Sequence, residues 1–295
     1  MMRKETQGML LGLIGVLCFS LTPPATRAAV IYFDPLLLTL GRAILAAIIA
    51  AMILILAKQP LPPRSQIKSI LVIASCIVVL FPLLLAIAVQ TVPASHTAVM
   101  LGILPLATSF AAVIRSGERP SALFWFFSLM GAMTVFVFTL SDSAGEIQAA
   151  DILLALGVIF AATGYTEGAR LSKELGSWQT ISWALVFGAP FLMIPFGWML
   201  AQATLVAPPS AWIGFIYVAI VSQLLGFFPW YKGLAIGGTA RVSQVMLLMP
   251  FMTMIFSSWL LTEHVKLSSW VFAAIIVVIV MLSMRLPTHQ KFALE

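Results

Sequence analysis

The chain has 295 residues, of which 61% are hydrophobic and only 9% are charged. About a quarter of the residues of an ordinary soluble domain are charged, so this composition excludes such a domain and indicates an integral membrane protein. The net charge of +6 does not indicate a nucleic-acid partner, because the basic residues lie in short loops between apolar runs, where they orient a membrane protein.

Proline, glycine and charged residues divide the apolar runs into ten predicted membrane-spanning helices. The runs without charge are too long and too uniformly apolar for barrel strands, which alternate polar and apolar residues. The first run has no cleavage site followed by a soluble region, so we predict a retained span. The predicted spans cover residues 7–30, 36–57, 67–89, 94–115, 121–140, 152–172, 178–201, 210–232, 239–261 and 267–285.

The distribution of basic residues predicts that the N- and C-termini are both cytoplasmic. With the N-terminus inside, 13 of the 16 Lys and Arg residues fall in inner loops. Only Arg27 and Lys266 fall outside, and Arg42 lies within the second span. Such an excess of positive charge on one side is typical of cytoplasmic loops.

Two similar segments, residues 94–118 and 239–263, indicate an internal repeat. At an offset of 145 residues, Pro105 aligns with Pro250 and Glu118 aligns with Glu263. Because each half would contain five spans, the second half must insert upside down, which is typical of transporters with a site at the interface of the halves. We predict repeats over residues 1–142 and 143–295. A duplication that serves packing alone is the alternative.

The same segments carry a resemblance to a known family. Residues 88–121 and 233–270 each contain a small-residue turn, a helix centred on proline and a final glutamate. They resemble the paired signatures of the drug/metabolite transporter superfamily, in its EamA branch, and the whole chain is most similar to YddG-type amino-acid exporters. The resemblance implies an all-α bundle of ten transmembrane helices in an inverted 5+5 arrangement around a central cavity. It also implies the bacterial inner membrane as the location.

Polar and aromatic residues at helical spacing are the candidates for the substrate cavity. Gln223, Phe227 and Trp230 share one face of the eighth span, with Tyr231 beside it, and predict a surface of aromatic rings with an amide. The alternative is that Trp230 and Tyr231 anchor the helix at the membrane interface. Hydroxyl and amide groups on the two repeat helices could bind the backbone end of a substrate, or could simply join helices; these residues are Thr97, Thr108, Ser243 and Gln244.

Three further candidates are single residues with charged or hydroxyl side chains. His96 begins the fourth span and could couple transport to protons, or could be a satisfied histidine at a helix end. Thr163 lies one turn before Glu167, which we expect to pair with Arg170. Arg42 could bind a substrate carboxylate, or could extend its side chain to the outer surface.

The aligned prolines and acids have different predicted roles. Pro105 and Pro250 each remove a helical hydrogen bond and are predicted hinges. Glu118 and Glu263 follow their helices, where the helix dipole disfavours a carboxylate, so we predict that they cap or pair with the start of the next span.

The function predicted from these features is export of aromatic and other neutral amino acids by alternating access. Another small metabolite or a cationic drug is the alternative substrate. An intramembrane enzyme is disfavoured, because the chain has none of the common catalytic motifs. The predicted partners are an amino acid and the lipid bilayer, without nucleic acid, cofactor or metal. The oligomeric state is open, with a monomer possible.

Overall fold

The computed structural model describes residues 4–116, 122–142 and 147–284. Within these ranges the regular structure is helical, without strands. Seven of the helices are long and apolar enough to cross a membrane. Three shorter apolar stretches, Leu129–Phe138, Val245–Leu261 and Leu267–Ile279, fall in the fifth, ninth and tenth predicted spans.

The described residues form ten successive helical segments, numbered here in chain order. Their ends lie within five residues of the predicted ends, because long apolar runs bounded by proline, glycine and charge are the strongest sequence signal for such helices. The segments are α1 (Thr6–Val30), α2 (Pro35–Leu56), α3 (Arg64–Thr91), α4 (Ala94–Arg115), α5 (Ala122–Asp142), α6 (Ala149–Leu175), α7 (Ser177–Gln202), α8 (Pro209–Gly237), α9 (239–261) and α10 (Leu267–Met284).

The two aligned prolines each follow an interruption of their helix. In α4 the first helix ends at Leu101, and the second begins at Leu104, directly before Pro105. In α9 a 3₁₀-helix over Ser243–Leu248 precedes Pro250. A proline cannot donate to the carbonyl four residues earlier, so the preceding turn must find another geometry.

A second shared distortion lies in α3 and α8. Residues Ala74–Leu80 and Tyr217–Leu225 are π-helical. At the repeat offset of 145 residues, 74–80 corresponds to 219–225, which lies inside the second π-helix. Such wide turns are rare and occur often at functional sites. The two halves therefore share local helix distortions in addition to sequence.

The contacts between the halves follow the repeat. The packed pairs include α1 with α8, α3 with α6, α2 with α7, and α5 with α10. Exchanging the halves turns the first pair into the second and leaves the other two unchanged. Glycines allow the closest of these contacts: a Cβ at Gly8 would lie 2.7 Å from the Cα of Gly237, so α1 and α8 approach through small residues.

Candidate substrate cavity

A small cavity lies where the two halves meet. Its walls come from seven segments, α1 to α4, α6, α8 and α9. Its volume of about 20 Å³ has room for about one water molecule. A solute the size of an amino acid therefore enters only when these segments separate.

One wall of the cavity carries a buried guanidinium. Arg42 of α2 is only 3% exposed, so its side chain does not extend to the outer surface. Its Nη2 donates to the hydroxyl of Ser222 at 3.2 Å, and that hydroxyl also lies 2.8 Å from the hydroxyl of Thr22. The Nε of Arg42 is buried without a hydrogen-bond partner among the described residues. Arg42, Ser222 and Thr22 form what we call the polar wall.

Another part of the cavity lining is aromatic. Phe19, Tyr165 and Phe227 line the cavity and come from α1, α6 and α8. The ring centroids of Phe19 and Phe227 are 4.9 Å apart, and those of Tyr165 and Phe227 are 6.1 Å apart. These separations are typical of tilted aromatic packing. The three rings, called here the aromatic wall, offer a flat apolar surface.

Trp230 and Tyr231 do not line the cavity, contrary to the sequence prediction. Both are fully buried, so they are not interfacial anchors either. The Trp230 ring lies 5.5 Å from Tyr165, and the Tyr231 ring lies 5.2 Å from Phe227. They form a second layer that supports the aromatic wall.

Gln223 lines the cavity and joins the two π-helices. Its Nε2 donates to the carbonyl of Ile77 at 3.3 Å, which lies in the π-helical turn of α3. Both residues line the cavity. The amide thus connects equivalent distorted turns of the two halves at the cavity wall.

The predicted hydroxyl residues of α4 and α9 lie in the protein interior but not on the cavity. Thr97 is buried and donates to the carbonyl of Pro93, the residue before α4, at 3.3 Å. Thr108 and Ser243 are also buried. The side chain of Gln244 lies outside the described residues. The buried side chains of Thr97, Thr108 and Ser243 therefore pack within the helix bundle.

Thr163 is also placed away from the cavity. Its side chain is exposed, and its hydroxyl donates to the carbonyl of Ile159 within α6 at 2.8 Å. The cavity residue of this part of α6 is Tyr165. Helical spacing predicts that Thr163 and Glu167 share a face of α6, but neighbouring helices bury only Glu167.

Glu263 joins the two halves at the N-terminal end of α4. Its carboxylate accepts hydrogen bonds from the backbone N–H groups of Ala94 and Ser95 at 3.1 and 3.2 Å. It also lies 3.2 Å from Nε of Arg27, whose guanidinium donates to the carbonyls of Val89 and Val92. The predicted capping role is correct, but the capped helix is α4 of the other half, not the next span. Glu118 lies outside the described residues.

His96 lies at the same end and is paired with an acid. Its Nε2 is 2.7 Å from Oδ1 of Asp151, and both side chains are buried. Asp151 also accepts from the backbone N–H of Gln148 at 2.9 Å, so it caps α6. His96 is therefore part of a connection between α4 and α6 at their N-terminal ends, and it does not line the cavity.

A second charged cluster lies at the C-terminal end of α4. Glu167 accepts from Arg115 at 3.0 Å and from Arg170 at 2.6 Å, which confirms the predicted pairing of Glu167 with Arg170. Arg170 also donates to the hydroxyl of Ser69 on α3 at 2.6 Å. We call these residues the Glu167 cluster, and Glu263 with Arg27 and the first backbone N–H groups of α4 the Glu263 cluster. A helix of the length of α4 extends about 30 Å, so the two clusters lie at opposite ends of the bundle.

Sequence reasoning missed most of the residues that form the cavity. It identified Arg42 and Gln223, whose polarity is conspicuous inside a span, and Phe227, which shares a helix face with Gln223. It did not identify Phe19, Tyr165 or Ser222 as cavity residues, since aromatic and small hydroxyl residues occur throughout the apolar runs. Within the described residues, no group of three His, Cys, Asp or Glu side chains is suited to hold a metal ion.

Comparisons with known proteins agree with this architecture. A model of the EamA-like transporter family matches residues 6–140 and 148–285. The chain is 42% identical over 288 residues to an uncharacterized transporter, YdeK, of Bacillus subtilis (strain 168), covering 95% of this chain and 96% of that relative. A solved crystal structure covers 94% of this chain and 98% of its own length with a TM-score of 0.68 and 14% identity, a likeness that shows the fold alone.

Proposed function

Since the chain belongs to the EamA-like transporter family, we propose that this membrane transporter exports aromatic and other neutral amino acids. The observation that carries the proposal is the cavity between the halves, whose lining combines a buried guanidinium with three aromatic rings. A guanidinium suits a carboxylate, and aromatic rings suit an apolar or aromatic side chain.

The two charged clusters support a mechanism of alternating access. The Glu263 cluster closes the bundle at the N-terminal end of α4, and the Glu167 cluster connects α3, α4 and α6 at the other end. Opening one cluster at a time would connect the cavity to one side of the membrane while the other side stays closed. The breaks before Pro105 and Pro250 lie next to cavity residues Leu101 and Met249, so we assign these prolines as hinges.

The proposed topology has ten crossings with both termini in the cytoplasm. The repeats are residues 1–142 and 143–295, inverted relative to each other, and the location is the bacterial inner membrane. The matching helix distortions and the symmetric contacts of the halves support this arrangement. In this orientation the Glu263 cluster lies at the outer surface and the Glu167 cluster at the cytoplasmic surface.

Counterflow in vesicles that contain only the purified protein tests this function. Vesicles are loaded with unlabelled phenylalanine, leucine, lysine or glutamate, and entry of the labelled form is followed. We expect transient accumulation of phenylalanine and leucine above the level of protein-free vesicles. Absence of counterflow with every amino acid would contradict the proposal and leave another small metabolite as the substrate.

A further inference from the structure

We infer that Arg42 binds the carboxylate of the transported solute, and that the cavity selects solutes by this carboxylate without requiring an ammonium group. This inference rests on the proposed function, because it concerns the same cavity. It extends the substrate class to amine-free monocarboxylates with an aromatic or large apolar side chain.

The first step is the incomplete environment of Arg42. The side chain lines the cavity and is 97% buried, as its 3% exposure shows. Within the described residues no carboxylate forms an ion pair with Arg42, and the hydroxyl of Ser222 accepts the hydrogen bond of its guanidinium. A buried cation without an anion is costly. A guanidinium binds a carboxylate through two parallel hydrogen bonds, and the unpartnered Nε is available for one of them.

The second step is the absence of any acid from the cavity wall among the described residues. The two buried acids among the described residues are paired elsewhere: Glu167 with Arg115 and Arg170, and Asp151 with His96. A solute ammonium would therefore meet only hydroxyls, the Gln223 amide and ring faces. A solute carboxylate would contact the charged guanidinium of Arg42, so the carboxylate contributes most of the polar recognition.

The third step is the position of the polar wall relative to the aromatic wall. The hydroxyl of Ser222 precedes Phe227 by five residues on α8, and Thr22 follows Phe19 by three residues on α1. Each of these segments thus contributes one residue to the polar wall and one ring to the aromatic wall. A carboxylate bound by Arg42 leaves the rest of the solute against the rings.

Competition on the wild-type protein tests the inference without any substitution. Counterflow of labelled phenylalanine is measured with two competitors, 3-phenylpropionate, which lacks the amine, and phenethylamine, which lacks the carboxylate. We expect 3-phenylpropionate to inhibit at concentrations close to those of unlabelled phenylalanine. Phenethylamine should require at least about tenfold more, as expected when a charge-assisted pair is absent.

Variants of the polar wall give a second test. Arg42→Gln should weaken inhibition by 3-phenylpropionate at least about tenfold. In Arg42→Lys the inhibition should be intermediate between that of the wild type and that of Arg42→Gln, because an ammonium keeps the charge but cannot form the two parallel hydrogen bonds of a guanidinium. Arg64→Gln removes a charge from an exposed residue and serves as the matched control with wild-type inhibition. If Arg42→Gln does not fold, the wild-type competition decides the question.

The outcomes separate this inference from the proposed function. Phenylalanine counterflow inhibited equally by phenethylamine and 3-phenylpropionate would overturn the inference and leave the function intact. A wild-type competition profile in folded Arg42→Gln would overturn it too. Counterflow of labelled 3-phenylpropionate without counterflow of phenylalanine would support the inference and contradict amino-acid export.

Discussion

Replacing Glu263 by glutamine should open the bundle at the N-terminal end of α4. The substitution preserves the size of the side chain but removes the charge that faces two backbone N–H groups and Arg27. Weakening two charge-assisted hydrogen bonds costs about 1 kcal/mol each. Losing the partly exposed ion pair costs about 1 kcal/mol more. The sum, about 3 kcal/mol, corresponds to an approximately 100-fold shift towards the open form.

A cysteine on the cavity wall measures this shift. Cys18 and Cys76 are the only cysteines of the chain, so Met249→Cys can be placed in a background that carries Cys18→Ala and Cys76→Ala. Met249 lines the cavity and is 4% exposed. Labelling by a membrane-impermeant thiol reagent, added on the Glu263 side, should accelerate by up to about 100-fold in Glu263→Gln.

Asp34→Asn is the matched control for this prediction. Asp34 caps α2 at the same end of the bundle by accepting from the backbone N–H groups of Leu36 and Leu37, and asparagine caps a helix comparably. With Asp34→Asn added, the labelling rate of Met249→Cys in the cysteine-free background should stay unchanged. If Glu263→Gln is labelled no faster than Asp34→Asn, the Glu263 cluster does not close the cavity.

Three further predictions concern the rings, the hinge and the close helix contacts. Phe227→Ala should reduce counterflow of phenylalanine more than that of alanine, since Phe227 lines the cavity; equal losses would place the side-chain site elsewhere. Pro250→Ala should slow exchange more than it weakens equilibrium binding, and an unchanged exchange rate would exclude a hinge. Gly168→Ala should lower stability by about 1–3 kcal/mol, because the new Cβ would lie 2.2 Å from Cζ of the buried Tyr231. Gly197→Ala, with nothing within 4 Å of the new Cβ, should not lower the melting temperature, since alanine favours a helix over glycine.

The positions of the helices could be predicted from the sequence because the signals are long and chemically distinct. Apolar runs bounded by charge give the segments, and the aligned Pro105 and Pro250 give the repeat and the helix breaks. Arg42 is conspicuous because a charge within a span needs a partner or water. These inferences depend on single residues whose chemistry differs from that of their surroundings.

The cavity itself could not be predicted in the same way. Helical spacing tells which residues share a face, but not which neighbouring helix covers that face at each level. Thr163 and Glu167 are one turn apart on α6, yet the first is exposed and the second contacts Arg115 of α4. Phe19 and Tyr165 come from opposite halves, so only the packing of the halves brings their rings within 6.4 Å. The π-helical turns have no evident signature in the sequence.

The most direct test of the central claim is protection of the cavity by substrate. Met249→Cys in the cysteine-free background is reacted with a small thiol reagent, with and without saturating phenylalanine. We expect slower labelling in the presence of phenylalanine, because the solute would occupy the cavity lined by the polar wall and the aromatic wall. Phenethylamine should slow labelling only at a concentration at least about tenfold higher. Unchanged labelling in a variant that still transports phenylalanine would show that the solute passes elsewhere.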